Sequence, residues 1–232
     1  MEGSAIPLRV GILVCPGFAP MDVLGTHTVL GIVPGAELHL MWKDLEPFEG
    51  VPRWPMRATT RFADCPDVDV LMVGAIPPEV IGDPEVLAFF RAKAEAAQAV
   101  IAVCGGALLA GAAGLLRGRR ATTNFQMLDA LRDLGAEPVP GGRVVVDGKY
   151  HTAGPVTGSF EAALLVLAAL RGEEAAKFVE LTIEFDPHPP FGVGSPELAG
   201  PDRAAKSIAM FKPLSDLSRA TARKAFLAGK QL

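Results

Sequence analysis

The residue best suited to chemistry in this chain is Cys104, which ends an uncharged apolar run and is followed by Gly105 and Gly106. A sharp turn from a buried strand into a helix has the geometry of a nucleophile elbow, which pushes the middle side chain outward. Two glycines permit close backbone approach and strained dihedral angles, and the N–H groups at the start of the helix stabilise a thiolate. We therefore predict that Cys104 is a nucleophile, although most free cysteines are small buried hydrophobes.

A thiol nucleophile needs a partner that can take or relay a proton, and Asp22 is the best candidate. It lies in the turn after the first apolar run (CPGFAPMDVLG). Asp22 and Cys104 both follow strands, and the carboxyl ends of parallel strands meet at one edge of a sheet. We therefore expect the two side chains to share one site. A second role for Asp22, as the N-cap of the following helix, is compatible with the first.

The other cysteines and the histidines give weaker signals. Cys15 ends the first strand pattern and Cys65 lies in a loop, and the three cysteines are not spaced as a disulfide framework or as metal ligands. The histidines fall in helix, strand, hairpin and loop patterns: His27, His39, His151 and His188. The residues call for no metal and no organic cofactor.

Short runs rich in Val, Ile and Leu alternate with helical patterns along the chain. Strands are predicted at residues 8–14, 37–42, 68–73 and 100–103, and a hairpin at 143–153. Helices are predicted at residues 84–98, 105–116, 124–134, 159–171 and 173–183. This order predicts an α/β fold with a doubly wound, mostly parallel sheet and helices on both faces, of the flavodoxin-like kind. We expect one domain over residues 1–232, in which 201–232 is a C-terminal helical extension that caps the domain or meets a partner.

Composition restricts the partners and the compartment. The net charge of −4 argues against nucleic acid and against an anionic membrane. The uncharged stretch 99–116 is long enough for a membrane span, but its Gly- and Ala-rich middle favours a strand, a turn and a buried helix. The first strand pattern begins too early for a secretory signal. We expect a small-molecule substrate and a reducing, cytoplasmic location.

Several segments together resemble a known family. They are GILVCPGFAPMDVLG, FADCPDVDVLMVGA, VCGGALLAGAAGLLRGRRATTN, TAGPVTGSFEAALL and IEFDPHPPFGVGSP. In their order and in the elbow they resemble the ThiJ/PfpI superfamily, which shares its core with class I glutamine amidotransferases, and within it the isonitrile hydratase subgroup. The resemblance spans about residues 8–200 and leaves the C-terminal helix uncovered.

The resemblance implies a cysteine-dependent lyase, usually a homodimer, that adds water to a small isonitrile through a Cys104 thioimidate and releases an N-substituted formamide. Cys104 and Asp22 match the nucleophile and the acidic residue of the hydratases, whereas Gly105 stands where they carry Thr. The expected substrate-binding backbone comprises Gly74, Ala75 and Gly105. Relatives often carry His where this chain has Asn124.

Two alternatives remain open from the sequence. A glyoxalase- or deglycase-like enzyme acting on reactive carbonyls would use the acidic residue of the first loop plus a His near position 124, and only the first is present. A redox-sensing or ligand-binding protein would use Cys104 without turnover, and the missing Thr favours that alternative. Gly105 excludes the proteases of the superfamily, which place His directly after the cysteine.

Overall fold

The computed structural model describes residues 7–141 and 143–229. The strands are β1 Leu8–Leu13, β2 Ala36–Trp42, β3 Phe48–Gly50, β4 Trp54–Met56, β5 Thr60–Arg61, β6 Val70–Val73, β7 Ala99–Val103, β8 Arg120–Ala121, β9 Glu137–Pro138, β10 Val145–Asp147 and β11 Tyr150–Ala153. The helices are α1 Met21–Gly31, α2 Pro78–Ile81, α3 Pro84–Ala96, α4 Gly106–Ala112, α5 Ala130–Asp133, α6 Thr157–Arg171, α7 Glu173–Thr182, α8 Pro196–Ala199 and α9 Pro201–Ala228. Two 3₁₀ turns lie at Phe62–Asp64 and Phe125–Met127.

The core is a seven-stranded sheet in the order β10-β11-β7-β6-β1-β2-β5. Every neighbouring pair is parallel except the hairpin β10–β11. Every residue of β6 and β7 is buried, because helices cover both faces of these apolar strands. Helix α1 packs against α6, and helix α3 packs against α4. The predicted α/β fold with its mostly parallel sheet is confirmed.

The predicted helix over residues 124–134 is wrong in its first half. The chain forms the 3₁₀ turn Phe125–Met127 and then the short α5. Asn124 is extended, and the side chain of Gln126 accepts a hydrogen bond from the Asn124 amide and donates one to Ser207. Such local side-chain bonds compete with a regular helix.

The end of α4 also differs from the sequence prediction, and several short elements were not predicted. Helix α4 ends at Ala112 rather than near residue 116, because Gly114 takes a positive φ of 80° shortly after it. The small strands β3, β4, β5, β8 and β9 and the one-turn helices α2 and α8 are too short to give a periodic pattern.

The C-terminal helix α9 packs against α2, α4 and the 3₁₀ turn Phe125–Met127. It buries Ser218, Ala222 and Phe226. The predicted extension runs to residue 232, of which residues 230–232 lie outside the described part. In the described ranges, no helix is long and apolar enough to cross a membrane.

Candidate active site

Cys104 stands at the turn between β7 and α4 with a positive φ of 53°. Such a backbone conformation costs a residue other than glycine about 1–3 kcal/mol, so neighbouring structure must enforce it. The Cys104 N–H donates to the carbonyl of Ala153 in β11 at 2.9 Å, and the Cys104 carbonyl accepts a hydrogen bond from the Thr123 hydroxyl. The strained residue of this elbow is therefore the cysteine itself, held from both sides.

The two glycines after Cys104 have different roles. A Cβ on Gly106 would lie 2.4 Å from the carbonyl oxygen of Val73 and 2.7 Å from that of Gly74, so only glycine fits there. Gly105 has an ordinary φ of −57°, and the nearest atom to an added Cβ is the Ala75 Cβ at 3.5 Å. The expectation that both glycines serve strained or crowded backbone is thus met only at Gly106.

Asp22 lies in the first turn of α1 and is 2% exposed. Its Oδ1 accepts the N–H of Val156 at 2.9 Å, and its Oδ2 accepts the N–H of Ala75 at 3.1 Å. The carboxyl also lies close enough to the Cys104 thiol to affect its titration, and both side chains line the same cavity. None of these partners belongs to the start of α1, so the N-cap role considered for Asp22 is wrong. The structure brings Asp22 and Cys104 together.

The backbone expected to bind substrate is arranged differently from the sequence-based expectation. The Ala75 N–H is engaged by Asp22 and therefore does not face the substrate space unpaired. Gly74 is not part of the cavity wall; an added Cβ there would lie 2.7 Å from the Cβ of Asp22, so this glycine lets α1 approach the sheet. Of the three expected positions, Ala75 and Gly105 line the cavity, and the Gly105 N–H interacts with the Cys104 sulfur.

The electrostatics of the pair place the proton on sulfur. Burial raises the pKa of the Cys104 thiol, and the charge of Asp22 raises this pKa further, while the Gly105 N–H lowers it. Burial also raises the pKa of Asp22, although the N–H groups of Val156 and Ala75 oppose this. The Gly105 N–H at the start of the helix favours the thiolate, as the sequence indicated, but burial and the charge of Asp22 outweigh it. The thiol needs Asp22 as its base.

A cavity of about 490 Å³ opens above Cys104, in the range that suits small-molecule ligands. Its polar lining side chains are Asp22, Asn124 and Ser218, besides Cys104. Most of its wall is apolar, formed by Met21, Val51, Pro52, Ile76, Ile81, Met127, Phe211 and Leu214.

Sequence reasoning missed the part of the wall that α9 contributes. Phe211, Leu214 and Ser218 lie on this helix more than a hundred positions after Cys104. Their three- and four-residue spacing indicates one helix face, but it does not show what that face covers. Val156 was also missed: its φ of 57° aims its N–H at Asp22, and no sequence signal marked it.

Asn124 belongs to a chain of side-chain hydrogen bonds behind the cavity. Its Oδ1 accepts from the hydroxyl of Thr123 at 3.1 Å, and its Nδ2 donates to Gln126 at 2.9 Å. Gln126 in turn donates to Ser207 of α9 at 3.1 Å. The chain joins the residue that holds the Cys104 carbonyl to the helix that covers the cavity.

The remaining cysteines and histidines lie away from this cavity. Cys15 is fully buried, and burial raises its pKa to about 12. Cys65 contacts the sulfur of Met41 at 3.2 Å. Burial lowers the pKa of His151, whose Nδ1 faces the Lys149 carbonyl. Within residues 7–141 and 143–229 there is no cluster of three or more His, Cys, Asp or Glu that could hold a metal ion.

Comparisons with known proteins show which sequences and structures this chain is similar to. The model of the DJ-1/PfpI family matches residues 8–169. Isonitrile hydratase from Pseudomonas putida is 41% identical over 194 residues, which cover 83% of this chain and 85% of that protein. The crystal structure of a ThiJ/PfpI family protein from Pseudomonas syringae has a TM-score of 0.88 and 32% identity, covering 93% of this chain and 90% of the other.

A more distant structure shows the shared fold. Oxidized DJ-1 from Toxoplasma gondii has a TM-score of 0.67 and 19% identity, and the match covers 78% of this chain and all of that chain. The family model spans more than half of the chain, and the hydratase is similar over most of both sequences. The chain therefore belongs to the DJ-1/PfpI family.

Proposed function

We propose that this protein hydrates a small isonitrile to an N-substituted formamide, with Cys104 as nucleophile and Asp22 as proton carrier. The observation that carries the proposal is that the Cys104 thiol and the buried Asp22 carboxyl line the same apolar cavity and influence each other's titration. Similarity to a protein named isonitrile hydratase supports the same chemistry.

The first step is addition of the thiol to the isonitrile carbon. The S–H proton passes to Asp22 as the sulfur attacks the terminal carbon, and Asp22 then delivers this proton to the same carbon. One S–C and one C–H bond form, the S–H bond breaks, and the triple bond to nitrogen becomes the double bond of a thioimidate. The Gly105 N–H, directed at the sulfur, stabilises the charge that develops there.

The second step is hydrolysis of the thioimidate. Water attacks the carbon while Asp22 accepts a proton from it and passes that proton to nitrogen. The C–S bond then breaks, the hydroxyl proton moves to sulfur, and an N-substituted formamide leaves. Covalent catalysis of this kind divides one difficult hydration into two easier steps, and it returns both Cys104 and Asp22 to their starting protonation states.

The cavity suits a neutral, apolar substrate. Its walls are mostly aliphatic, proline and phenylalanine side chains, and among the described residues that line it Asp22 is the one charged side chain. An isonitrile carries no net charge, so it enters such a site without the desolvation cost of an ion. The raised pKa of the thiol opposes the redox-sensor alternative, because the thiolate is the form that oxidises readily.

The test is formamide release. Wild-type protein is incubated with cyclohexyl isonitrile, and N-cyclohexylformamide is quantified by chromatography, with methylglyoxal consumption measured in parallel. We expect formamide from wild type and none from Cys104→Ala. We expect a rate about 10²–10⁴-fold lower from Asp22→Asn, which keeps the side-chain size and loses the proton carrier.

Cys15→Ala serves as the matched control, because this thiol is buried away from the cavity. It should retain wild-type turnover. Methylglyoxal consumption without formamide from a panel of isonitriles would replace the proposal with the carbonyl-directed alternative. No turnover of either substrate, with oxidation of Cys104 as the only observed reaction, would replace it with the sensor alternative.

A further inference from the structure

The hydroxyl of Ser218 has no hydrogen-bond partner among the residues that the structure describes. Ser218 lies on α9, is 2% exposed, and lines the cavity that contains Cys104. A helical Ser or Thr commonly donates to the carbonyl four residues earlier, as Thr182 does to Phe178 at 2.6 Å. In the described part of the chain, the Ser218 hydroxyl makes neither that bond nor any other. A hydroxyl without a protein partner on a buried residue is expected to hydrogen-bond to a ligand or a water.

The other polar groups of the cavity already have partners. Both oxygens of Asp22 accept backbone N–H groups, and the Gly105 N–H is directed at the sulfur. The Asn124 side chain accepts from Thr123 and donates to Gln126. Ser218 is therefore the polar side chain of this cavity that has no hydrogen-bond partner among the described residues.

Gly105 leaves the nucleophile without a neighbouring side-chain hydroxyl. The resemblance to the hydratases places a Thr after the nucleophile, and this chain has Gly105 instead. The space is open, since an added Cβ would meet nothing nearer than 3.5 Å. The nucleophile thus has no hydroxyl beside it, while a hydroxyl from α9 faces the same cavity.

We propose that Ser218 is a positioning residue that holds the water for hydrolysis of the Cys104 thioimidate, an inference that rests on the proposed function. A water in a mostly apolar cavity needs two or more polar partners to be ordered. Ser218 donates to or accepts from it on one side, and Asp22, deprotonated after the first step, accepts its proton on the other. This hydroxyl comes from the C-terminal helix α9, which lies beyond the residues 8–169 that the family model matches.

The test compares Ser218→Ala with Ser215→Ala, a matched variant on the same helix. The Ser215 hydroxyl is also buried without a partner in the described residues, but Ser215 does not line the cavity. We expect Ser218→Ala to lower kcat about tenfold, the effect of losing one hydrogen bond. KM should fall with kcat, and kcat/KM should stay nearly unchanged, because only the step after covalent attack is slowed. The slowed second step should let the thioimidate accumulate, so intact-mass spectrometry should show Cys104 carrying the mass of one isonitrile. Ser215→Ala should show neither effect.

Two rescue variants sharpen the test. Ser218→Thr keeps the hydroxyl and should retain turnover. Adding Gly105→Thr to Ser218→Ala should restore much of kcat and remove the adduct, because it puts a hydroxyl in the open space beside the nucleophile. The fold of each variant is checked by thermal melting, and Ser218→Ala should melt no lower than wild type, since it removes an unpaired buried hydroxyl.

The inference is overturned if Ser218→Ala keeps kcat within twofold and no adduct appears while wild type still releases formamide. A rise in KM alone, without adduct, would likewise overturn it and make Ser218 a substrate contact. Absence of formamide from wild type would instead remove the proposed function, and this inference with it.

Discussion

The elbow offers a matched pair of substitutions, Gly106→Ala and Gly105→Ala, that differ in the space available to the added methyl group. A methyl on Gly106 would lie 2.4 Å from the Val73 carbonyl oxygen, about 1 Å inside the 3.4 Å at which ordinary contact begins. That oxygen belongs to β6, which is hydrogen-bonded to β1 and β7 and cannot retreat. A methyl on Gly105 meets nothing nearer than 3.5 Å.

The magnitude follows from two opposing effects. Overpacking against backbone costs about 1–3 kcal/mol or more, and replacing Gly with Ala inside a helix returns up to about 1 kcal/mol. Gly106→Ala should therefore lower the free energy of unfolding by about 1–2 kcal/mol. For a chain of this size that corresponds to roughly 2–8 °C in Tm. Gly105→Ala should stay within about 0.5 kcal/mol of wild type.

The assay is urea unfolding followed by far-UV circular dichroism, with formamide release measured on the same samples. We expect Gly106→Ala to lower the midpoint without changing the slope, and to lower kcat/KM by up to about 10²-fold, because a shift near 1 Å misplaces the Cys104 sulfur. Equal effects of the two substitutions, or a loss below about 0.5 kcal/mol for Gly106→Ala, would refute the steric argument.

Three further predictions concern the cavity and its charges. Burial raises the pKa of Asp22 in the folded protein, so the contribution of Asp22 to stability falls as the pH rises from the ordinary carboxyl range through the raised pKa. In pH-dependent melts, the unfolding free energy of Asp22→Asn relative to that of wild type should therefore increase over this pH range. A difference that stays constant with pH would contradict the prediction. Asp22→Asn also removes a charge that raises the pKa of Cys104, so the pH profile of Cys104 alkylation by iodoacetamide should move to lower pH. An unmoved profile would mean that burial alone raises the pKa of Cys104. Leu214→Ala should raise KM for cyclohexyl isonitrile several-fold with kcat unchanged, since it removes apolar wall and no reacting group; a change in kcat alone would show that Leu214 does not contact the substrate.

The sequence by itself determined the longer strands and helices and the identity of the central residue. The runs that became β1, β6 and β7 are apolar because both faces of a parallel strand are buried, so their composition reports their place in the sheet. Cys104 followed by two glycines predicted an elbow, because the turn from strand into helix requires close backbone approach, here at Gly106. The order of strands also predicted that Asp22 and Cys104 meet at one sheet edge, a relation that follows from topology without any knowledge of side-chain contacts.

Only the tertiary structure decided how these residues work together. The Ala75 and Val156 N–H groups turn toward Asp22 through backbone angles that no residue type encodes. The direction of the pKa shift at Cys104 depends on burial, which is a sum over distant elements rather than a local property. Helix α9 covers the cavity although it lies more than a hundred positions after Cys104. Packing energy decides which distant elements come together. Periodicity along the chain could therefore indicate the apolar face of α9 but not the nucleophile that this face covers.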